Sequence, residues 1–143
     1  MIQSREEELR GLYWNATAEA RGKKTAVVCD DDYILAHILR HILEKLGFTV
    51  YEAGNGEEGL GLIRSRKPSL VLLDLDMPVK DGIEVLESLG RPGAARTYVI
   101  VLSNHQKRQD EVMALGAREA LIKPLESAPF GRKIEGLVRG GEI

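Results

Sequence analysis

An α/β fold, with a parallel sheet covered by helices on both faces, is predicted by three features of the sequence. Short β-branched and aliphatic stretches alternate with stretches of helical period, giving five candidate strands and five candidate helices from Thr25 onward. Two of the strands, Leu70-Val71-Leu72-Leu73 and Tyr98 to Leu102, are apolar at successive positions, the pattern of strands buried on both faces. The first and third strands run straight into carboxylates, Asp30-Asp31-Asp32 and Asp74-Leu75-Asp76, at the edge where open α/β sheets place their ligands.

The chain divides into an N-terminal extension, residues 1–23, and a domain over residues 24–140. In the extension, Leu9, Leu12, Tyr13 and Ala16 have helical spacing, and Gly11 weakens the helix. It reads either as a frayed linker or as a docking or dimerisation helix using Leu12, Tyr13 and Trp14, a homodimer being one arrangement. Thr25 to Cys29 is the first strand. Ile34, Leu35, Ile38, Leu39, Ile42, Leu43 and Leu46 then form a helical stripe, capped by the aspartates and stopped by Gly47.

Phe48 to Glu52 is the second strand, and Asn55-Gly56 turns into a helix over 57–66 with Leu60 and Ile63 inward, weakened by Gly59 and Gly61. The third strand starts at Leu70, and Pro78 blocks its continuation because it lacks a backbone donor. Asp81-Gly82 opens a short helix carrying Ile83, Val85, Leu86 and Leu89, which ends near Gly90 and Pro92. Tyr98 to Leu102 leads to Ser103-Asn104-His105. A helix with Val112, Met113 and Leu115 stops at Gly116, Ala120 to Ile122 is the last strand before Lys123-Pro124, and 127–139 is the final helix.

Composition excludes several classes. The 143 residues suffice for one domain with a real core, and 43% hydrophobic with 29% charged residues is globular. A formal charge of -2 argues against direct nucleic-acid binding. Cys29 is the only cysteine and reads as a packed, reduced thiol. No apolar run has the length of a membrane span, and the charged start is unlike a signal peptide, so a cytoplasmic protein is expected.

Parallel topology turns sequence order into spatial convergence. The residues just after the strands, Asp30, Asp31, Asp74, Ser103 and Lys123, should emerge at one edge of the sheet. Singly each has a plainer role: Asp31 or Asp32 as a helix cap, Ser103 as cap of the next helix, Lys123 as a solvated lysine. As a set they imply chemistry. Crowded carboxylates raise one another's pKa unless a divalent cation neutralises them, and hard oxygen ligands suit Mg²⁺. With a metal held by Asp30 and Asp31, Asp74 stays ionised and can attack phosphorus to form an acyl phosphate. Lys123 and Ser103 would meet the phosphoryl oxygens.

The stretches Val27 to Asp32, Leu70 to Pro78 with Asp81-Gly82, Val99 to Ser103, and Leu121 to Pro124 resemble the receiver domain of two-component response regulators, of the chemotaxis-regulator kind. The resemblance spans roughly residues 24–140. It implies a flavodoxin-like three-layer sandwich with strand order 2-1-3-4-5 and phosphotransfer to Asp74 from a histidine kinase or phosphotransfer protein. It further implies Mg²⁺ bound by Asp30, Asp31, Asp74 and the backbone carbonyl of Asp76, Ser103 as the switch hydroxyl, and a cis Lys123-Pro124 bond. Such a protein is a phospho-acceptor rather than an enzyme, acting on a downstream protein.

Departures from the family bear on the output. Ala120 stands where an aromatic usually relays the switch, and Asn104 follows Ser103 where a small residue is common. Asp76, Asn104 and His105 are candidates to tune phosphate lifetime: Asn104 by crowding the phosphoryl pocket, while Asp76 and His105 either point to solvent or, reaching over the phosphoryl group, together assist self-dephosphorylation by orienting water. Two alternatives compete: an Asp-nucleophile phosphatase of haloacid-dehalogenase type, disfavoured because the metal acids precede the nucleophile and position 78 is proline, and a receiver fold used without phosphorylation. No effector domain is read after the final helix, so a stand-alone regulator or a piece of a longer protein is expected.

Overall fold

Five short strands pair in parallel in the order β2-β1-β3-β4-β5 in the computed structural model, which describes residues 24–90, 97–105 and 108–143. They are β1 (Thr25–Cys29), β2 (Thr49–Ala53), β3 (Leu70–Asp74), β4 (Tyr98–Ser103) and β5 (Glu119–Ile122). The helices are α1 (Tyr33–Lys45), α2 (Gly56–Arg66), α3 (Gly82–Leu89), α4 (Gln109–Ala114) and α5 (Ser127–Arg139). Among the described residues this is the predicted alternation and strand order. The second strand lies one residue later than expected. The extension, residues 1–23, and Pro92 fall outside the described residues.

Two apolar layers, one on each face, make the sheet the centre of the molecule. Val27, Cys29, Val71, Leu73, Val99 and Val101 point to one side, and Ala26, Val28, Leu70, Leu72, Ile100 and Leu102 to the other. The strict alternation of side chains along a strand explains why these segments must be apolar throughout. Fully burying each such aliphatic side chain stabilises by about 1.5–3 kcal/mol, so β3, with no exposed position, is the anchor of both layers.

The helix faces needed correction in two places. On α1 the buried residues are Ala36, Leu39 and Leu43, with Leu35, Ile42 and Leu46 packed beside them, whereas Ile34 is 62% and Ile38 45% exposed. Ile34 and Ile38 lie outside the arc centred on Leu39 and Leu43, and Ala36 takes the inward position because a small side chain suffices there. On α4, Val112 is buried but Met113 is exposed.

Gly59 also proves to be more than a weak point in α2. A β-carbon there would lie 2.6 Å from Cys29 Sγ, so its absence lets the helix seat on β1. Gly61, with nothing within 4 Å of a built β-carbon, only costs helix propensity. Cys29 itself is buried, and burial, then the charges of Glu58 and Asp30, push its thiol up to about 12, as expected of an inert packed residue.

Two substitutions on one helix should therefore have opposite signs in urea denaturation. Gly61→Ala is expected to stabilise by about 0.5–1 kcal/mol. Gly59→Ala is expected to destabilise by about 1–3 kcal/mol through overpacking against Cys29.

Candidate functional site

Backbone pairing fixes where the strand ends deliver their side chains. Beyond the ladders, Asp30 N donates to Ala53 O at 3.0 Å, Leu75 N to Leu102 O at 3.0 Å and Lys123 N to Ser103 O at 2.8 Å. Asp30, Asp74, Ser103 and Lys123 are thus held at the carboxyl edge of the sheet on four strands that cannot slide independently. The Lys123-Pro124 peptide is cis.

The three consecutive aspartates after β1 divide their work. Asp32 caps α1, its Oδ1 accepting from Ile34 N at 3.1 Å and Leu35 N at 3.2 Å. That leaves Asp30 and Asp31 available. Asp30, Asp31 and Asp74 each offer an oxygen within 4.8 Å of the others; Asp30 and Asp74 are buried, and Asp31 is exposed at the mouth. Asp30 Oδ1 accepts from Asp32 N at 2.9 Å, and Asp74 Oδ1 from Asp76 N at 3.2 Å. Lys123 Nζ lies 2.9 Å from Asp30 Oδ2 and 3.4 Å from Asp74 Oδ2.

This cluster fits a hard divalent cation. Asp30 Oδ2 is buried without a well-aligned hydrogen bond, although Lys123 Nζ is close in distance. Three carboxylates face one ammonium, and the donor set is all oxygen, the chemistry Mg²⁺ prefers.

Ser103 reaches the same edge but does not cap α4, whose first residue is Gln109. Its hydroxyl is paired with the backbone of His105, donating to the carbonyl at 2.9 Å and accepting from the N–H at 3.0 Å. Such local side-chain to backbone pairing is a habit of serine at turns. The side chains of Asp76, Asn104 and His105 are exposed. Ala120 is half-buried and lines a small cavity with Ser103, His105, Val112 and Leu121 where the family's aromatic would stand.

The electrostatics follow from this packing. Burial, and then the charge of Asp30, raise the Asp74 carboxyl from its ordinary 3.8 to about 7, against the opposing Asp76 N–H and Lys123 ammonium. Burial alone would lower the Lys123 pKa, but its contact with Asp30 and the charge of Asp74 outweigh that and raise it.

Glycine makes the neighbouring loop possible. A β-carbon at Gly82 would sit 2.6 Å from the Asp74 carbonyl oxygen, so the start of α3 can fold back onto the end of β3. Asp81 and Glu84 close that start as a reciprocal capping box. The sequence marked Asp81-Gly82 as a helix start; the close approach itself has no sequence signal beyond the glycine.

In metal-free protein the native Asp74 carboxyl keeps its proton up to about pH 7, whereas the unfolded one loses it near 3.8. The native state binds more protons in that window, so stability falls as pH rises through it. With EDTA present, the urea midpoint should drop from about pH 5 to about pH 8, and Asp74→Asn should remove most of the drop, gaining roughly 2–4 kcal/mol at the upper end. An equal drop in the variant would place the titrating group elsewhere.

Comparison with known proteins agrees with this architecture. The profile of the response regulator receiver domain matches residues 26–135. The alkaline phosphatase synthesis transcriptional regulatory protein PhoP of Bacillus subtilis is 31% identical over 122 residues, covering 84% of this chain and 50% of that protein. The KDP operon transcriptional regulatory protein KdpE of Escherichia coli is 38% identical over 100 residues, covering 68% of this chain and 44% of that protein. The chain thus spans about half the length of these curated relatives. Among solved structures, a Francisella response regulator receiver domain superposes with TM-score 0.72 at 28% identity, covering 82% of this chain and 98% of that one. A CheY-like receiver domain protein from Methanospirillum hungatei gives 0.73 at 27%, covering 84% and 97%. With its profile match, strand order and acidic edge, the chain belongs to the response regulator receiver domain family of two-component systems.

Proposed function

We propose that this chain is a phospho-accepting receiver in which Asp74 takes a phosphoryl group from the phosphohistidine of a histidine kinase or phosphotransfer protein. The observation that carries the reading is a buried Asp74 at the end of the central strand, with Lys123 Nζ 3.4 Å from its Oδ2 and two further carboxylates within 4.8 Å. An Asp74 oxygen attacks phosphorus, the P–N bond breaks with its electron pair passing to the imidazole, and an acyl phosphate remains.

Asp30, Asp31 and Asp74, with the backbone carbonyl of Asp76, are the groups that would hold Mg²⁺. Bound there, the ion supplies positive charge to the phosphoryl oxygens and keeps Asp74 ionised. Lys123, already drawn between Asp30 and Asp74, pairs with a phosphoryl oxygen once the charge there increases. The Ser103 hydroxyl offers a donor when it leaves the His105 carbonyl. The protein is a stoichiometric acceptor rather than a turnover enzyme, working in the cytoplasm. A downstream protein reads the modified state by binding one of two surface populations better.

Radiolabelled acetyl phosphate with Mg²⁺ should give about one alkali- and hydroxylamine-labile label per chain, and Asp74→Ala should take none. Label retained by that variant, or continuous release of phosphate from a small ester, would refute the reading. Phosphate lifetime is a separate measurement. Asp76→Asn and His105→Ala should each lengthen it by roughly several-fold, well short of the 10²–10⁴ of full general-base catalysis, and unchanged decay in both removes Asp76 and His105 from the hydrolysis.

A further inference from the structure

Gly56 is the first residue of α2, behind the Asn55 cap that accepts from Glu58 N at 2.9 Å. It lies directly under the loop that leaves β3. A β-carbon on Gly56 would sit 1.9 Å from the Lys80 carbonyl oxygen, 2.6 Å from its carbonyl carbon and 2.9 Å from Lys80 Cβ. The two closest atoms are backbone, so no rotamer change relieves the clash. The loop itself must move.

That loop is held at both ends and bent tightly between them. Gly82 N donates to Leu75 O at 3.0 Å, and Lys80 N donates to Pro78 O at 2.8 Å across Val79. Val79 stands at φ 69°, a left-handed conformation costly for a β-branched residue. Lys80 Nζ donates to Ser88 Oγ at 3.1 Å, tying the bend to α3. Asp76 lies inside this span, and its N–H is bonded to Asp74 Oδ1 at 3.2 Å.

We propose that Gly56 is a positioning residue for the phosphorylation pocket. Its bare α-carbon is the seat on which the β3–α3 loop rests at Lys80, and that seat sets how Asp76 is presented to Asp74. The proposal rests on the receiver reading, because it is the Asp76 backbone that this reading makes part of the metal site. Gly59, one turn along the same helix, supplies the contrast: its obstruction is the Cys29 side chain in the core, away from the loop.

The test uses the full chain and two readouts, Mg²⁺ affinity by calorimetric titration and stability by urea denaturation. Gly59→Ala is expected to lose stability while binding Mg²⁺ within about twofold of the unmodified chain. Gly56→Ala is expected to weaken Mg²⁺ binding by roughly 10-fold or more, the scale seen when groups supporting metal ligands are disturbed. Binding within about twofold in Gly56→Ala overturns the inference, as does parallel weakening in both glycine variants. Should Gly56→Ala not fold, Lys80→Gly loosens the loop at the same contact from the other side. It is expected to weaken Mg²⁺ several-fold, and unchanged affinity there overturns the inference. An unmodified chain that neither binds Mg²⁺ nor takes label defeats the receiver reading itself.

Discussion

Burying a carboxylate at the end of an apolar strand is the constraint from which the rest of this molecule follows. Asp74 is 2% exposed and shares its site with Asp30, itself 1% exposed. Two desolvated acids this close cannot both ionise cheaply without positive charge. Lys123 supplies one such charge, and its position depends on β5 pairing with β4. The pocket is therefore a property of the whole sheet: β1 brings Asp30, β3 brings Asp74, and β5 brings the ammonium that keeps them together. The residual imbalance, three carboxylates against one ammonium, is what a divalent cation at this edge would relieve.

The strands and the loops meet this constraint differently. Fully apolar strands give the acids a rigid floor, with each buried aliphatic fixing the register of its neighbours. The loops above are shaped by close backbone approaches that only glycine permits. Gly82 lets α3 fold onto Asp74, and Gly56 lets the same loop lie on α2. Rigidity thus comes from side chains below the pocket and from missing side chains above it. Val79, strained and 74% exposed, shows that the loop's path is imposed by its supports rather than by its own preferences.

Much of this was legible in the sequence, for a physical reason. A central parallel strand must be apolar on both faces, so Leu70 to Leu73 announces itself, and the residues that end such strands must converge at one edge. Edge strands and short helices carry weaker signals. No residue of β5 is fully buried, and α4 has six residues, too few for periodicity to separate buried Val112 from exposed Met113. Along α1 and its C-cap Leu46, seven apolar positions overfilled the arc a helix can bury, and which of them face the core depends on the sheet beneath. The sequence put Asp30 and Asp31 at the pocket but left the helix cap open between Asp31 and Asp32; that Asp32 caps α1 needed coordinates, because either has the chemistry for it. The glycine seats are invisible in one sequence, where Gly56 reads only as half of a turn and Gly59 and Gly61 look alike.

If Ser103 follows a phosphoryl group, as the receiver reading has it, the alanine at position 120 changes what that hydroxyl can do. Ser103 is already satisfied twice by the His105 backbone, so turning toward a phosphoryl group forfeits two neutral hydrogen bonds of about 0.5–1.5 kcal/mol each. The bond gained would be charge-assisted, about 1.5–3 kcal/mol, so gain and loss are of similar size. Phosphorylation would then bias an equilibrium instead of locking one state. At position 120 only a methyl borders the cavity behind Ser103, so β5 offers no ring to follow the hydroxyl inward. On the receiver reading, what moves when Ser103 turns is the backbone it releases at His105, and the change offered to a partner starts there rather than at a side chain on β5.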